Sequence, residues 1–295
     1  KTSASSAWTY SHELARLHLN EIFPDDVTTV YYDSINSHNI EEAIDDAIAN
    51  GCNVIFTTSP TFSQASLKAA IANPKITILN CSLHDPHTSM RTYYARMHEA
   101  KFIMGAVAGS MAAHDKIVYI ADYPIYGTIA NINSFAQGVK MTNPRAKIHL
   151  LWSCLKDVDV EEQIKQLQPD CVSDKDLSVP EAGTRYYGLY MSYPDSIWNL
   201  AIPIYNWGKF YEQLIEAILN GTWKADDSKN VKAINYWWGM AENAIEVISS
   251  PWLPEGIKKL INLLTKTIRS GDFNPFSGII YSQDKTIKNG DFNTP

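Results

Sequence analysis

Two carboxylates and one amine occur in three consecutive residues, Asp174, Lys175 and Asp176, after a short apolar run. Residues i and i+2 of an extended chain point to the same side, so the two carboxylates could act as an acid–base pair. A solvated loop or a polar anchor in a binding site explains the same residues. The sequence contains no nucleophile elbow, phosphate-binding loop, dinucleotide fingerprint, zinc-protease motif or EF-hand loop. We therefore interpret the chain as a binding protein and predict no catalytic residue.

The histidines and cysteines do not form a metal-binding pattern. His84 and His87 flank Asp85-Pro86, and this arrangement favours a polar turn over a metal site. No CxxC pair is present, and three cysteines lie in or beside β-prone apolar runs, so we expect buried free thiols. The four are Cys52, Cys81, Cys154 and Cys171. The sequence predicts neither a metal nor another cofactor.

Aromatic and small polar residues recur directly after apolar runs that resemble strands. These positions are residues 57–60, 81–82, 122–124, 152–153, 173–175 and 190–192. Ligands of open α/β sheets bind beyond the carboxyl ends of the strands. The pattern therefore predicts a cleft that stacks a flat ligand on aromatic faces and fixes it with a few hydrogen bonds. Trp8 and Trp207 each begin a predicted helix and could face the same cleft, with packing in a core or an interface as the alternative.

Alternating strands and helices would position these residues. Predicted strands at residues 27–32, 53–58 and 76–80 alternate with predicted helices at residues 7–23, 40–49 and 62–72. Strand–helix units of this length predict right-handed crossovers and a parallel sheet. Helix 7–23 has no strand before it, so we expect the first strand of this lobe to be missing from the chain.

The alternation begins again after a short extended segment, residues 91–96. Further strands are predicted at residues 116–121, 147–152, 170–173, 186–191, 197–205, 235–238, 244–248 and 278–281. Two such series predict two lobes, the first from residues 1–95 with about 205–243 and the second from 96–204. The sequence does not assign residues 244–295 to a lobe. The small residues Gly105 and Gly109 are expected to let their helix pack closely against the second sheet.

Composition limits the class of protein. The 295 residues are 45% apolar and 19% charged, which is typical of globular proteins and is enough for two domains. The net charge is −7 and no lysine- or arginine-rich stripe occurs, which argues against a nucleic-acid surface. The sequence contains no run of 18 apolar residues, so it predicts no membrane span.

The beginning of the first helix, Trp8-Thr9-Tyr10-Ser11-His12-Glu13, resembles a signature of the basic membrane protein family. Further similar segments, in matching order, are residues 53–58, 94–96, 99–100, 105–109, 135–139, 143–144, 205–211 and 220–223. The resemblance carried by these scattered segments extends over nearly the whole chain. The Trp-Thr-Tyr and Asn-Trp-Gly elements are similar to a subgroup that takes purine-type ligands rather than sugars.

This resemblance implies a two-lobe α/β protein of the periplasmic-binding-protein type I fold, with a parallel sheet in each lobe and a hinge that closes on ligand. It implies a solute-binding protein that delivers a purine-like ligand, a free base such as adenine or a nucleoside, to ABC permease subunits. No cofactor, catalysis or nucleic acid is implied. Such proteins act at the cell surface or in the periplasm, attached through a lipid anchor that would lie outside this chain. The alternative is a ligand-sensing domain within a larger, cytoplasmic chain.

The resemblance also implies roles for particular residues. Trp8 would stack on the base and Trp207 would close the mouth of the cleft. Thr58 and Ser59 would line the first wall. The second wall would be formed by Pro124, Trp152, Asp174 and Ser192. Many relatives carry an acidic residue soon after strand 186–191, whereas here no carboxylate occurs before Asp195, which favours a free base over a ribose-bearing ligand.

Overall fold

A computed structural model describes residues 3–83, 87–156, 158–177, 184–193, 196–223, 234–282 and 284–288. The chain divides into two compact units. Unit 1 comprises Lys1–Arg96, Leu177–Thr184 and Ile204–Glu246, and unit 2 comprises Met97–Asp176, Arg185–Pro203 and Val247–Pro295. The turn predicted at residues 84–86 and the carboxylate of Asp195 lie outside the described residues.

Helices and strands alternate along most of the chain. The helices are α1 (Ala7–Ile22), α2 (Ile40–Ala49), α3 (Ser63–Ala72), α4 (Met97–Met111), α5 (Tyr126–Thr142), α6 (Val160–Leu167), α7 (Trp207–Leu219) and α8 (Glu255–Arg269). The strands are β1 (Val54–Thr57), β2 (Thr77–Cys81), β3 (Arg91–Ala95), β4 (Lys116–Ala121), β5 (Lys147–Trp152), β6 (Cys171–Ser173), β7 (Leu189–Tyr193), β8 (Ser196–Tyr205), β9 (Asn235–Trp238) and β10 (Ile245–Ser249). No helix in these ranges has both the length and the apolar character needed to cross a bilayer.

Unit 1 is built on a four-stranded parallel sheet in the order β1-β2-β3-β9. Parallel neighbours need a crossover connection, and α3 supplies the one between β1 and β2. Buried apolar side chains of α2, α3 and β2 pack together, among them Ile44, Ala70 and Ile78. This sheet confirms the parallel α/β architecture predicted for the first lobe.

Two predicted strands are wrong. Residues 27–32 pair with no strand in the described ranges, and the side chains of Val30 and Tyr31 are exposed. Residues 278–281 contribute only an isolated bridge from Tyr281 to Ile287. Both runs have β-prone residue types, but such residues form a strand only where a neighbouring strand supplies hydrogen bonds and packing.

Unit 2 contains most of a six-stranded sheet in the order β10-β8-β7-β6-β4-β5. Strands β5 and β6 pair with β4 in parallel, whereas β7 is antiparallel to both β6 and β8. The sheet is therefore mixed, which corrects the prediction of a parallel sheet in each lobe. Only two residues separate β7 from β8, and a connection this short permits only an antiparallel pair.

Helices α4 and α5 of unit 2 approach each other closely through glycines. A Cβ atom at Gly105 would lie 2.1 Å from the carbonyl oxygen of Phe135, and one at Gly138 would lie 2.0 Å from that of Phe102. Gly105 and Gly109 thus pack on α5, whereas the prediction placed them against the sheet. Only glycine leaves room for two helix backbones this close together.

Candidate ligand-binding site

Trp8 lies among aromatic rings of unit 1. Its neighbours, with the distances between ring centroids, are His12 at 5.0 Å, Tyr94 at 6.2 Å, Tyr205 at 5.3 Å and Trp207 at 5.8 Å. Three of these contacts are edge-on, and only Tyr94 is closer to parallel, tilted by 32°. The Trp8 Nε1–H group donates a hydrogen bond to the carbonyl oxygen of Thr58 at 2.7 Å. These contacts give the half-buried indole one orientation.

The loop after β1 is held from a second side by Asn80. The Asn80 Nδ2 group donates to the carbonyl oxygen of Ser59 and to Thr57 Oγ1, both at 2.9 Å. Ser59 Oγ in turn accepts from the backbone N–H of Thr61 at 3.3 Å and so starts a short 3-10 turn. The Ser59 hydroxyl is therefore used within the loop, while the Thr58 hydroxyl has no hydrogen-bond partner among the described residues.

Trp207 packs inside unit 1, although the expected role was to close the mouth of a cleft. Its side chain is 1% exposed and begins α7. It stacks on His12 at 4.8 Å with an interplanar angle of 12°, and on Tyr205 at 5.3 Å with an angle of 7°. Both stacking contacts of the Trp207 ring are therefore made within unit 1. Trp207 thus supports Trp8 and takes the packing alternative that the sequence left open.

His12 lies beneath Trp8, one turn further along α1. Burial lowers the pKa of His12 to about 3, so its imidazole is neutral at physiological pH. Its Nδ1 atom is 2.8 Å from the hydroxyl of Tyr211, which is 3.1 Å from the hydroxyl of Tyr93. A short buried hydrogen-bonded chain therefore backs the aromatic cluster.

Three neighbouring strands of unit 2 bring polar and aromatic residues to one edge of the sheet. In the parallel register Trp152 of β5 lies beside Ala121 of β4, and Ser173 of β6 lies beside Tyr119. Asp122 and Asp174 directly follow β4 and β6, so both carboxylates share this edge with Trp152. Burial raises the pKa of Asp174, and the charge of Asp122 adds to that shift. Exposed Pro124 follows Asp122 in the same loop.

Ser192 does not join this group, which corrects its predicted place in the second wall. Strand β7 runs antiparallel to β6, with Leu189 opposite Ser173. The chain then continues toward the amino end of β6, and Ser192 pairs with Ile197 of β8. Three residues of strand span roughly 10 Å, so Ser192 lies well away from the edge that carries Asp174. The prediction assumed a parallel strand.

The structure does not provide the acid–base pair that the sequence left open. Asp176 forms an ion pair with Lys101 Nζ and is not available beside Asp174. No group of three or more His, Cys, Asp or Glu side chains within the described ranges could hold a metal ion. All four cysteines are free, as predicted, with Cys81 and Cys171 buried.

Several residues of the groups in unit 1 and unit 2 were not predicted from the sequence. His12 follows Trp8 at the i+4 spacing that places two side chains on one helix face, so the pattern could have identified it. Lys101 stands directly before the uncharged run of residues 102–111, and this position was a signal for it. Tyr94, Tyr205 and Asn80 carried no comparable signal, because only the tertiary fold brings them to Trp8 and its loop.

The fold and these two groups of residues define a substrate-binding protein with the periplasmic-binding-protein fold. Residues 2–164, more than half of the chain, match the family described as ABC transporter substrate-binding protein PnrA-like. The chain belongs to this family, whose members bind substrates for ABC transporters outside the membrane and are not enzymes. The expected resemblance, fold class and absence of catalysis are thereby confirmed.

Three comparisons illustrate the relationship. The chain is 27% identical to a purine-binding protein of Brucella abortus over 94% of this chain and 81% of that protein. It is 21% identical to a putative ABC transporter glucose-binding protein of Haloferax volcanii, over 92% of this chain and 71% of that protein. A solute-binding protein of an ABC transporter system from Conexibacter woesei has the same fold, with a TM-score of 0.67 at 14% identity, covering 92% of this chain and 94% of that one.

Proposed function

We propose that this protein captures a purine-like ligand, a free base such as adenine or a nucleoside, and delivers it to the permease of an ABC importer. The observation that carries the proposal is the Trp8 indole, which five contacts within unit 1 hold in one orientation. A preorganised ring is a platform on which a flat heterocycle can stack at low entropic cost. The purine-binding relative supports this class of ligand.

In this proposal Thr58 contributes a hydrogen-bonding hydroxyl group from unit 1. The Thr58 hydroxyl lies beside the carbonyl group that accepts a hydrogen bond from Trp8. It forms no hydrogen bond with another residue in the described ranges. A hydroxyl can both donate and accept, which suits the alternating donors and acceptors on the edge of a purine. Ser59 has a supporting role, because its hydroxyl stabilises the following turn.

Unit 2 would contribute Trp152, Asp174 and Pro124. A carboxylate accepts hydrogen bonds from ring or amino N–H groups, and a proline and a tryptophan offer apolar surface to the ring. Closure on the ligand and a lipid anchor outside this chain complete the proposal.

A thermal-shift screen with adenine, hypoxanthine, adenosine and glucose tests the ligand class, followed by calorimetry with each compound that raises the melting temperature. A ligand at 100 times its dissociation constant adds about 2.7 kcal/mol to the free energy of unfolding. We expect a shift with at least one purine and none with glucose. A shift with glucose and with no purine would contradict the proposal.

A further inference from the structure

Lys101 is a buried cation in unit 2. It lies on the second turn of α4, and its side chain is 4% exposed. Its ammonium group forms an ion pair with Asp176 and lies 5.6 Å from the centroid of the Tyr119 ring. Burial lowers the pKa of Lys101, but Asp176 and the Tyr119 hydroxyl outweigh it, so the pKa is raised and the group is charged. A buried charge is costly and is seldom found without a partner or a role.

The turn that Lys101 holds also carries Asp174. The backbone N–H of Asp174 donates to the carbonyl oxygen of Gly188 at 2.8 Å, and one carboxylate oxygen accepts from the backbone N–H of Lys175 at 2.7 Å. The second oxygen has no hydrogen-bond partner among the described residues. An ion pair two residues away, at Asp176, fixes the far side of the turn. The carboxylate of Asp174 is therefore held in place with one acceptor oxygen uncommitted.

Charged and titratable groups from several elements surround Asp174. Lys101 comes from α4, Asp122 follows β4, Lys175 and Asp176 belong to the same turn, and Tyr190 comes from β7. Burial and Asp122 favour the neutral acid, whereas the hydrogen bond from Lys175 and the positive charges of Lys175 and Lys101 favour the carboxylate. The charge of Lys175 contributes more than that of Lys101, but Lys175 is exposed, whereas Lys101 is buried and its ion pair with Asp176 fixes its position.

We propose that Lys101 is a positioning residue for ligand binding, which fixes the turn through Asp176 and, as a buried positive charge, favours the carboxylate form of Asp174 as a hydrogen-bond acceptor for the ligand. This inference rests on the proposed function, in which Asp174 contacts the ligand. The role of Asp174 as an acceptor restricts the ligand to heterocycles that present N–H donors to this carboxylate. The two carboxyl groups at this edge, Asp122 and Asp174, disfavour anionic compounds such as nucleoside monophosphates.

A purely structural ion pair makes a different prediction. If Lys101 only stabilised the turn, its removal would weaken binding by the same factor at every pH. If it controls the charge of Asp174, its removal shifts the pH at which binding is lost. The Lys101→Met variant keeps the length and apolar surface of the side chain, and the Lys101→Arg variant keeps the charge as a matched control.

Carbon-13 NMR titration of the aspartate carboxyl groups in the ligand-free protein measures the charge of Asp174 directly, with Asp174→Asn used to assign the signal. We expect the Asp174 titration to move to higher pH in Lys101→Met and to stay near the wild-type position in Lys101→Arg. An unchanged titration in a Lys101→Met variant that keeps the wild-type circular dichroism spectrum would overturn the inference.

Calorimetry with hypoxanthine across the acidic range provides the functional test, because this base keeps its charge where a carboxyl group titrates. We expect affinity to fall at low pH in the wild type, to fall at a higher pH in Lys101→Met, and to lose this dependence in Asp174→Asn. A uniform loss of affinity in Lys101→Met with an unchanged midpoint would overturn the inference. If the wild type binds no purine, the proposed function fails, and the NMR titration alone decides whether Lys101 controls Asp174.

Discussion

The indole N–H of Trp8 donates a hydrogen bond to the carbonyl oxygen of Thr58 at 2.7 Å, across 50 positions of sequence. This bond joins the first helix of unit 1 to the loop at the carboxyl end of β1. It orients the ring by one edge, and the surrounding rings restrain it from other directions. A ring fixed in this way loses little conformational freedom when a ligand stacks on it.

Replacing Trp8 tests this platform. We expect Trp8→Ala to weaken binding of adenine by about 1–3 kcal/mol, the usual loss when a base loses a stacking ring. Trp8→Phe keeps a ring but loses the bond to Thr58, so its affinity should lie between those of the wild type and Trp8→Ala. Calorimetry measures both. Trp252→Ala is a matched control, because that indole is 88% exposed on unit 2 and should not affect affinity.

Asp174→Asn should raise the stability of the protein at pH 7 and weaken its binding of purine. Burial raises the pKa of this carboxyl in the folded protein, so its contribution to stability is present at low pH and is lost as the pH rises through the folded-state value. At neutral pH the buried charge is a cost. We therefore expect Asp174→Asn to resist urea better than the wild type at pH 7, with the difference vanishing in acid, while it binds purine less tightly. Lower stability at pH 7 would contradict this assignment.

His12 should make the protein sensitive to acid. Its pKa falls from 6.5 to about 3 on burial, so the unfolded chain binds a proton that the folded chain does not. Stability from this group is complete above pH 6.5 and is lost as the pH falls toward 3, by up to about 5 kcal/mol. We expect His12→Gln to flatten the dependence of unfolding free energy on pH in this window. A His12→Gln variant that keeps the wild-type slope would contradict this assignment.

Gly105→Ala should destabilise unit 2. Its new Cβ atom would lie 2.1 Å from the carbonyl oxygen of Phe135, and a backbone atom of α5 cannot rotate away. Overpacking of this kind costs about 1–3 kcal/mol. Gly256→Ala is the control, because that helical glycine has no atom within 4 Å of the added carbon and should gain up to about 1 kcal/mol from helix propensity. Urea unfolding measures the free energy of unfolding of the two variants. Equal values would contradict the close packing of α4 on α5 at Gly105.

Local sequence patterns were sufficient for most of the elements. Helix α2 was predicted at its observed bounds, Ile40–Ala49, and α1 begins where Ser6 caps it by accepting from the backbone N–H of Thr9. These features depend on residues within one or two turns of each other, so the sequence displays them directly. Residues 27–32 show the limit, since a β-prone segment becomes a strand only if a partner lies beside it.

The candidate site was only partly predictable for the same reason. The rule that ligands meet the carboxyl ends of strands placed Thr58, Trp152 and Asp174 at strand ends, where the structure has them, but it failed for Ser192 because the direction of β7 is set by pairing and not by its own residues. Trp207 could not be assigned from its type, since a tryptophan at a helix start suits both a core and a binding face.

The sequence by itself determined the alternation of helices and strands, the absence of a catalytic motif and the similarity to a family of substrate-binding proteins. These follow from short-range periodicity and from residue types in order. Only the tertiary structure decided that Trp8 is held by Thr58, that Trp207 packs behind it and that Lys101 lies beneath the turn of Asp174. Those relationships join residues far apart in the chain, and burial and strand direction, which exist only after folding, give each side chain its charge and its neighbours.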